Sequence, residues 1–125
     1  MYGSNMASIT VSGAVSKGDA LGVSSGEFAR ALATVSSVVQ MRCVAAKDGI
    51  DGETIDAYFG PTIISGARFS GATAGGAVYV AEGTSNGKYT QTAPSTTGDA
   101  NTIVGYALSP TIFVLIPNFN TDTVA

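Results

Sequence analysis

Apolar and polar residues alternate over short stretches of this chain, and Gly, Asn or Asp interrupts them about every ten residues. That spacing predicts strands joined by tight turns. In chain order the predicted strands are Ser8 to Val11, Ala20 to Val23, Phe28 to Ala31, Val38 to Ala46 and Thr54 to Phe59. Thr62 to Phe69, Val78 to Ala81, Lys88 to Thr92, Ile103 to Leu108 and Thr111 to Ile116 follow. No segment carries a sustained 3.6-residue apolar stripe bounded by caps. A short helix within Glu27 to Val39 could use Ala29, Ala31, Leu32, Ala33 and Val35, but four β-branched residues between Thr34 and Val39 oppose it. The inward-facing positions predicted from alternation are Val11, Leu21, Val23, Val44, Ile55, Val78, Val80, Ile103, Val104, Phe113 and Leu115.

The pattern repeats itself. Gly18-Asp19-Ala20-Leu21-Gly22-Val23 precedes a Gly-containing turn and Glu27-Phe28, and Gly75-Gly76-Ala77-Val78-Tyr79-Val80 precedes a longer tip and Lys88-Tyr89. Each reads as a β-hairpin whose tip glycine supplies a positive φ. Met41 to Ala46 with Thr54 to Tyr58 then echoes Ile103 to Leu108 with Ile112 to Ile116. The expectation is an all-β fold, a small β-barrel or β-tulip-like domain over residues 8–117, built from two four-strand halves at about residues 17–70 and 74–117. Residues 1–7 form an N-terminal arm and 118–125 a C-terminal tail outside the predicted core.

Composition narrows the function. Of 125 residues only 12% are charged, about half the usual share, and the net charge is −3. Six Lys and Arg against nine Asp and Glu cannot lay down the basic stripe of a nucleic-acid binder. There is no histidine, which removes His-dependent catalysis and His metal sites. No run approaches the about 18 apolar residues of a membrane-spanning helix. The first six residues lack the basic and apolar regions of a secretory signal.

The candidate chemistry is sparse. Asp48, Asp51 and Glu53 surround two glycines and could offer oxygens to Ca²⁺, but their spacing departs from an EF-hand loop, and an exposed Asp-Gly hairpin turn is the preferred reading. Cys43 lies in an apolar run with no base nearby in sequence, so a buried apolar role is expected. The tip from Gly83 to Lys88 with Tyr89 could bind a glycan, but a solvated hairpin tip is the preferred reading, and Gln91 to Asn101 is a polar loop long enough to do more than connect. No nucleophile elbow, phosphate loop or paired-carboxylate motif is present. The expectation is therefore a non-enzymatic protein with no cofactor and no metal. Its contact residues are assigned to Tyr2, Met6 and Ile9 in the N-terminal region, to Tyr58, Phe59 and Pro61 near a strand end, and to Phe119 in the tail.

The Gly18 to Val23 and Gly75 to Val80 hairpins, Phe28 to Ala31, the Val44 strand, Ile103 to Leu108 and the closing strand Ile112 to Ile116 together resemble the head decoration, or capsid cement, proteins of tailed bacteriophages. The resemblance spans most of residues 8–117 and is one of pattern and spacing. It implies a homotrimer seated at three-fold and quasi-three-fold positions on the outer capsid surface of the virion, made in the host cytoplasm. The implied partner is the major capsid protein, contacted in part through an N-terminal arm, with no nucleic acid and no membrane. The rival expectation is a carbohydrate-binding or adhesin module of a phage fibre or cell surface.

Overall fold

The computed structural model describes residues 5–65, 72–84 and 86–125. They form an all-β domain of two five-stranded antiparallel sheets. The first holds β1 (Met6–Thr10), β2 (Ala20–Ser24), β3 (Glu27–Arg30), β4 (Cys43–Ala45) and β5 (Thr54–Tyr58), side by side in the order β1-β5-β4-β2-β3. The second holds β6 (Thr62–Ser65), β7 (Ala77–Val80), β8 (Tyr89–Thr90), β9 (Ile103–Ser109) and β10 (Ile112–Leu115), in the order β6-β10-β9-β7-β8. The helix alternative is not taken: among the described residues between Glu27 and Val39 the chain makes β3 and a three-residue 3-10 turn, Val35–Ser37.

The two orders are the same permutation. Each half lays its first strand outside its fifth, then its fourth, second and third. Hydrogen bonds repeat with it. The Asp19 N–H donates to the Ser16 carbonyl (2.9 Å) as Gly76 does to Thr73 (3.0 Å). The Gly18 N–H donates to the Ala45 carbonyl (2.8 Å) as Gly75 does to Ala107 (2.7 Å). The repeating unit thus has five strands rather than the four expected. Thr62–Ser65, expected to close the first half, opens the second by pairing with β10. Residues 66–69 of that expected strand lie outside the described residues.

Period-two alternation sends side chains to two cores. The first sheet curls until its edges touch, with Val11 bridging Phe28 and the Ser12 N–H donating to the Phe28 carbonyl (2.7 Å). Inside the curl sit Leu21, Cys43, Ala45, Ile55 and Ala57, closed by Ile9, Val11 and Val15. The opposite face of the same strands sends Ala20, Val44 and Tyr58 into a second cluster with Val78, Val104, Phe113 and Leu115 of the second sheet. β2 and β4 are therefore apolar on both faces, which is why their sequences read as unbroken small apolar runs.

Three expectations need correction. Val23 is 53% exposed, because it continues the inner face of Leu21 beyond the end of β4, where nothing covers it. Ile103 is 55% exposed, because a bulge between Val78 and Tyr79 turns Val104 inward and leaves Ile103 outside. The long strand from Val38 to Ala46 shrinks to Cys43–Ala45. Val39 bridges Leu32 instead, and the Gln40 carbonyl packs against Gly22, where a Cβ would collide with it.

Candidate interaction surface

The acidic turn shows what its residues do. The Asp48 carboxylate accepts the Lys17 N–H (2.8 Å), Asp51 accepts the Gly13 N–H (2.8 Å) and Glu53 accepts the Ile50 N–H (3.0 Å). Each carboxylate satisfies a loop amide, which is the turn chemistry expected of Asp and Glu in such loops. Cys43 is fully buried, and burial pushes its thiol up to about 12. Tyr89 is 3% exposed and its hydroxyl donates to the Gly18 carbonyl (2.8 Å), so its ring is not offered to a sugar at the hairpin tip. The Gln91–Asn101 loop is tied to the fold at both ends. The Gln91 amide both accepts the Thr73 N–H (2.7 Å) and donates to the Thr73 carbonyl (3.0 Å). Buried Asp99 accepts the Val35 N–H (2.8 Å) and the Thr96 N–H (3.2 Å), and a hydrogen bond to Asp99 raises the Glu82 carboxyl above its ordinary value.

The assigned contact residues separate into three places. Met6 pairs with Tyr58 across β1 and β5, on the side facing away from the curl, and is 39% exposed. Phe59 donates its N–H to the Asn5 carbonyl (2.6 Å) and packs edge-on to Phe28 at 6.1 Å, while exposed Pro61 follows in the connection to β6. Ile9 is 7% exposed and points into the first core, so it is a packing residue and contributes no contact surface. Phe119 stands alone on the tail, 86% exposed, with the Arg42 guanidinium over its ring at 5.0 Å. Arg42 also donates to the Asn118 and Asn120 carbonyls (3.2 and 2.8 Å), so the ring is held in place while facing solvent. Tyr2 lies outside the described residues.

Sequence reasoning missed an apolar surface. Across the outer side of the second sheet, Ile63 pairs with Val114, Val114 with Tyr106 and Tyr106 with Ala77, one row over four strands. Ile103, Leu108 and Ile116 extend it, and the exposed members range from 41% at Tyr106 to 67% at Ile63. β6, β7, β9 and β10 contain no charged residue. A shallow depression of about 320 Å³ lies between Ala77, Ile103, Tyr106, Ile116 and Asn118. At 4.8 Å between strands and 3.3 Å per residue, four strands of about five residues present a face of about 320 Å². The signal was available: apart from the terminal Ser109, both alternating sets in Ile103–Ser109 and Ile112–Leu115 lack polar side chains other than the Tyr106 hydroxyl, which an inner face alone does not require.

No family model, curated protein or solved structure matches this chain.

The tail is part of the same construction. The Asp122 N–H donates to the Thr102 hydroxyl (3.0 Å), Gln40 donates to the Asp122 carbonyl (3.1 Å), and Thr123 bridges Ala100. Residues 118–125 are thereby hydrogen-bonded onto both halves. At the other end, Met6 and Ala7, assigned to the arm on sequence, are the first two residues of β1.

Proposed function

We propose that this protein is a structural decoration module that binds the outside of an icosahedral phage capsid as a trimer and bridges neighbouring major capsid proteins. The observation that carries the reading is the uncharged, apolar outer face of the second sheet. The largest apolar patch on an ordinary soluble domain is about 300–600 Å² and is often functional, and a face without any charge is the kind that serves contact. Burying about 320 Å² at 25 cal/mol per Å² gives about 8 kcal/mol, which the freedom lost on association largely cancels. One such contact is weak, and many copies on a repeating lattice bind firmly because each bridges several partners. The held Phe119 ring supplies a second apolar anchor, of a residue type enriched at interfaces.

The test is quantitative mass spectrometry of density-banded particles. A high, fixed ratio of this chain to the major shell protein is expected. Tyr106→Glu should leave the circular dichroism spectrum unchanged and remove the protein from the particles. A trace ratio, or full retention of Tyr106→Glu, refutes the reading. A glycan array is expected to show no saturable binding.

A further inference from the structure

The outer face of the second sheet has a hole, and the tail beside it carries a knob. The hole is the depression of about 320 Å³ between Ala77, Ile103, Tyr106, Ile116 and Asn118. Its cause lies in the sequence. Gly75 and Gly105, which also line it, have no side chain, and Ala77 has only a methyl group, so the row of large side chains breaks there. The knob is Phe119, 86% exposed and one residue beyond Asn118. Its ring does not fold back into the hole. The Arg42 guanidinium lies over it and holds the carbonyls on both sides of it, those of Asn118 and Asn120. The hole is at the Ile103 end of β9. Ser65 and Ala72, the described residues on either side of 66–71, are at the other end, by the β9–β10 turn: Ser65 pairs with Ile112, and the Ala72 N–H donates to the Pro110 carbonyl (3.3 Å).

We propose that two copies of this chain pair through this face about a two-fold axis, each seating its Phe119 ring in the depression of the other. An axis in the interface plane, midway between knob and hole and perpendicular to the line joining them, carries each knob onto the other copy's hole. The sizes fit. A cavity of about 150 Å³ holds a benzene ring, so the depression admits a phenylalanine side chain. The chemistry fits too. The Asn118 amide donates to the Ile103 and Ile116 carbonyls (3.4 and 3.2 Å) and accepts the Asn120 N–H (2.9 Å), so its polar atoms are turned to its own chain. Charge favours this face for self-pairing. Each copy carries −3, and like charges opposed across an interface are destabilising, but β6, β7, β9 and β10 have none. The face of about 320 Å² and about 200 Å² of Phe119 give about 500 Å² per copy, about 1,000 Å² for the pair. That is the lower limit of a specific interface, so the pair is weak and reversible. On the decoration reading the shell and the second copy compete for one face, so the pair parts as the protein seats. The pairing itself does not depend on that reading.

Sedimentation equilibrium and amide chemical shifts of the full-length protein, from about 20 μM to about 1 mM, cover the range of a weak pair. A monomer–dimer equilibrium is expected, with the amides of Gly105, Tyr106 and Asn118 moving as concentration rises. Phe119→Ala should weaken pairing at least about tenfold and leave the circular dichroism spectrum unchanged, since the ring is exposed. Ile103→Glu, also at an exposed position, should do the same by placing a charge in the hole. Mixing the variants is the sharpest measurement. Alone, one lacks knobs and the other lacks holes; together they make one knob-in-hole contact. Unlabelled Ile103→Glu protein should therefore shift the Tyr106 amide of isotopically labelled Phe119→Ala protein. Four results overturn the proposal: a monomer at every concentration, a monomer–trimer equilibrium, Phe119→Ala pairing as tightly as wild type, or no shift on mixing. No shell is present in these measurements, so their failure is separate from failure of the decoration reading.

Discussion

Asp19 is 1% exposed, and its carboxylate holds the junction of the two halves. It accepts the Arg30 Nε–H at 2.8 Å and the Ser16 N–H at 2.8 Å. Directly above it the Gly87 carbonyl accepts the Ala20 N–H, and the Gly87 N–H donates to Ala31. The informative perturbation is Arg30→Met, which keeps much of the aliphatic stem and removes the charge. Breaking a buried pair costs about 3–5 kcal/mol, because the remaining charge is stranded. The Arg30 side chain is 36% exposed, so water takes over part of its role and the cost falls to about 2–3 kcal/mol. With an unfolding entropy of about 2.1 cal/mol/K per residue, Tm should fall by about 8–11 °C. Urea denaturation of wild type, Arg30→Met, Asp19→Asn and the double variant should give a coupling energy of about 1–2 kcal/mol at constant m. An Arg30→Met protein within about 0.5 kcal/mol of wild type would refute the reasoning.

Cys43 should resist thiol reagents in the folded protein at neutral pH and react fully in denaturant, its thiol being pushed up to about 12 by burial; a colorimetric thiol assay reads both states. Gly22→Ala places a Cβ against the Gln40 carbonyl and should destabilise by at least about 2 kcal/mol in chemical denaturation, well beyond strand propensity. Glu82 shares a hydrogen bond with Asp99 that raises its folded pKa, so the folded state holds the extra proton. Its stabilising contribution is complete below the ordinary Glu value and lost as pH rises through the raised one. Glu82→Gln should flatten this dependence when Tm is compared from about pH 4 to about pH 8.

Strand positions were legible because alternation and turn glycines are local. Gly26, Gly75, Gly83 and Gly87 all take positive φ where the hairpin reading required turns. Which sheet a strand joins is not local: Thr62–Ser65 has the same composition whether it closes one half or opens the next. Ile103 and Val104 are equally apolar, and only the bulge opposite Val78 and Tyr79 decides which faces inward. The sequence assigns contact residues to the N-terminal region, to the tail and to Tyr58, Phe59 and Pro61, where aromatics stand out among small polar residues. The outer face of the second sheet was missed because its residues look like core. Met6 and Ala7 belong to a strand, so a truncation that isolates any arm should stop at residue 4.

The unequal sharing of core between the halves sets an order of disassembly. The first sheet encloses Leu21, Cys43, Ala45, Ile55 and Ala57 by itself. The second completes its cluster with Ala20 and Val44 of the first sheet and with Ala31, Ala33 and Met41 of the connection between β3 and β4. Opening of the second sheet can therefore leave the curl intact, whereas opening of the curl strips the second sheet of one wall. Amide exchange should then resolve two cooperative units, with β4 and β5 among the last to yield and β6 and β10 released earlier. A protein assembled from two copies of one topology thus loses its order as a sequence of two unlike steps.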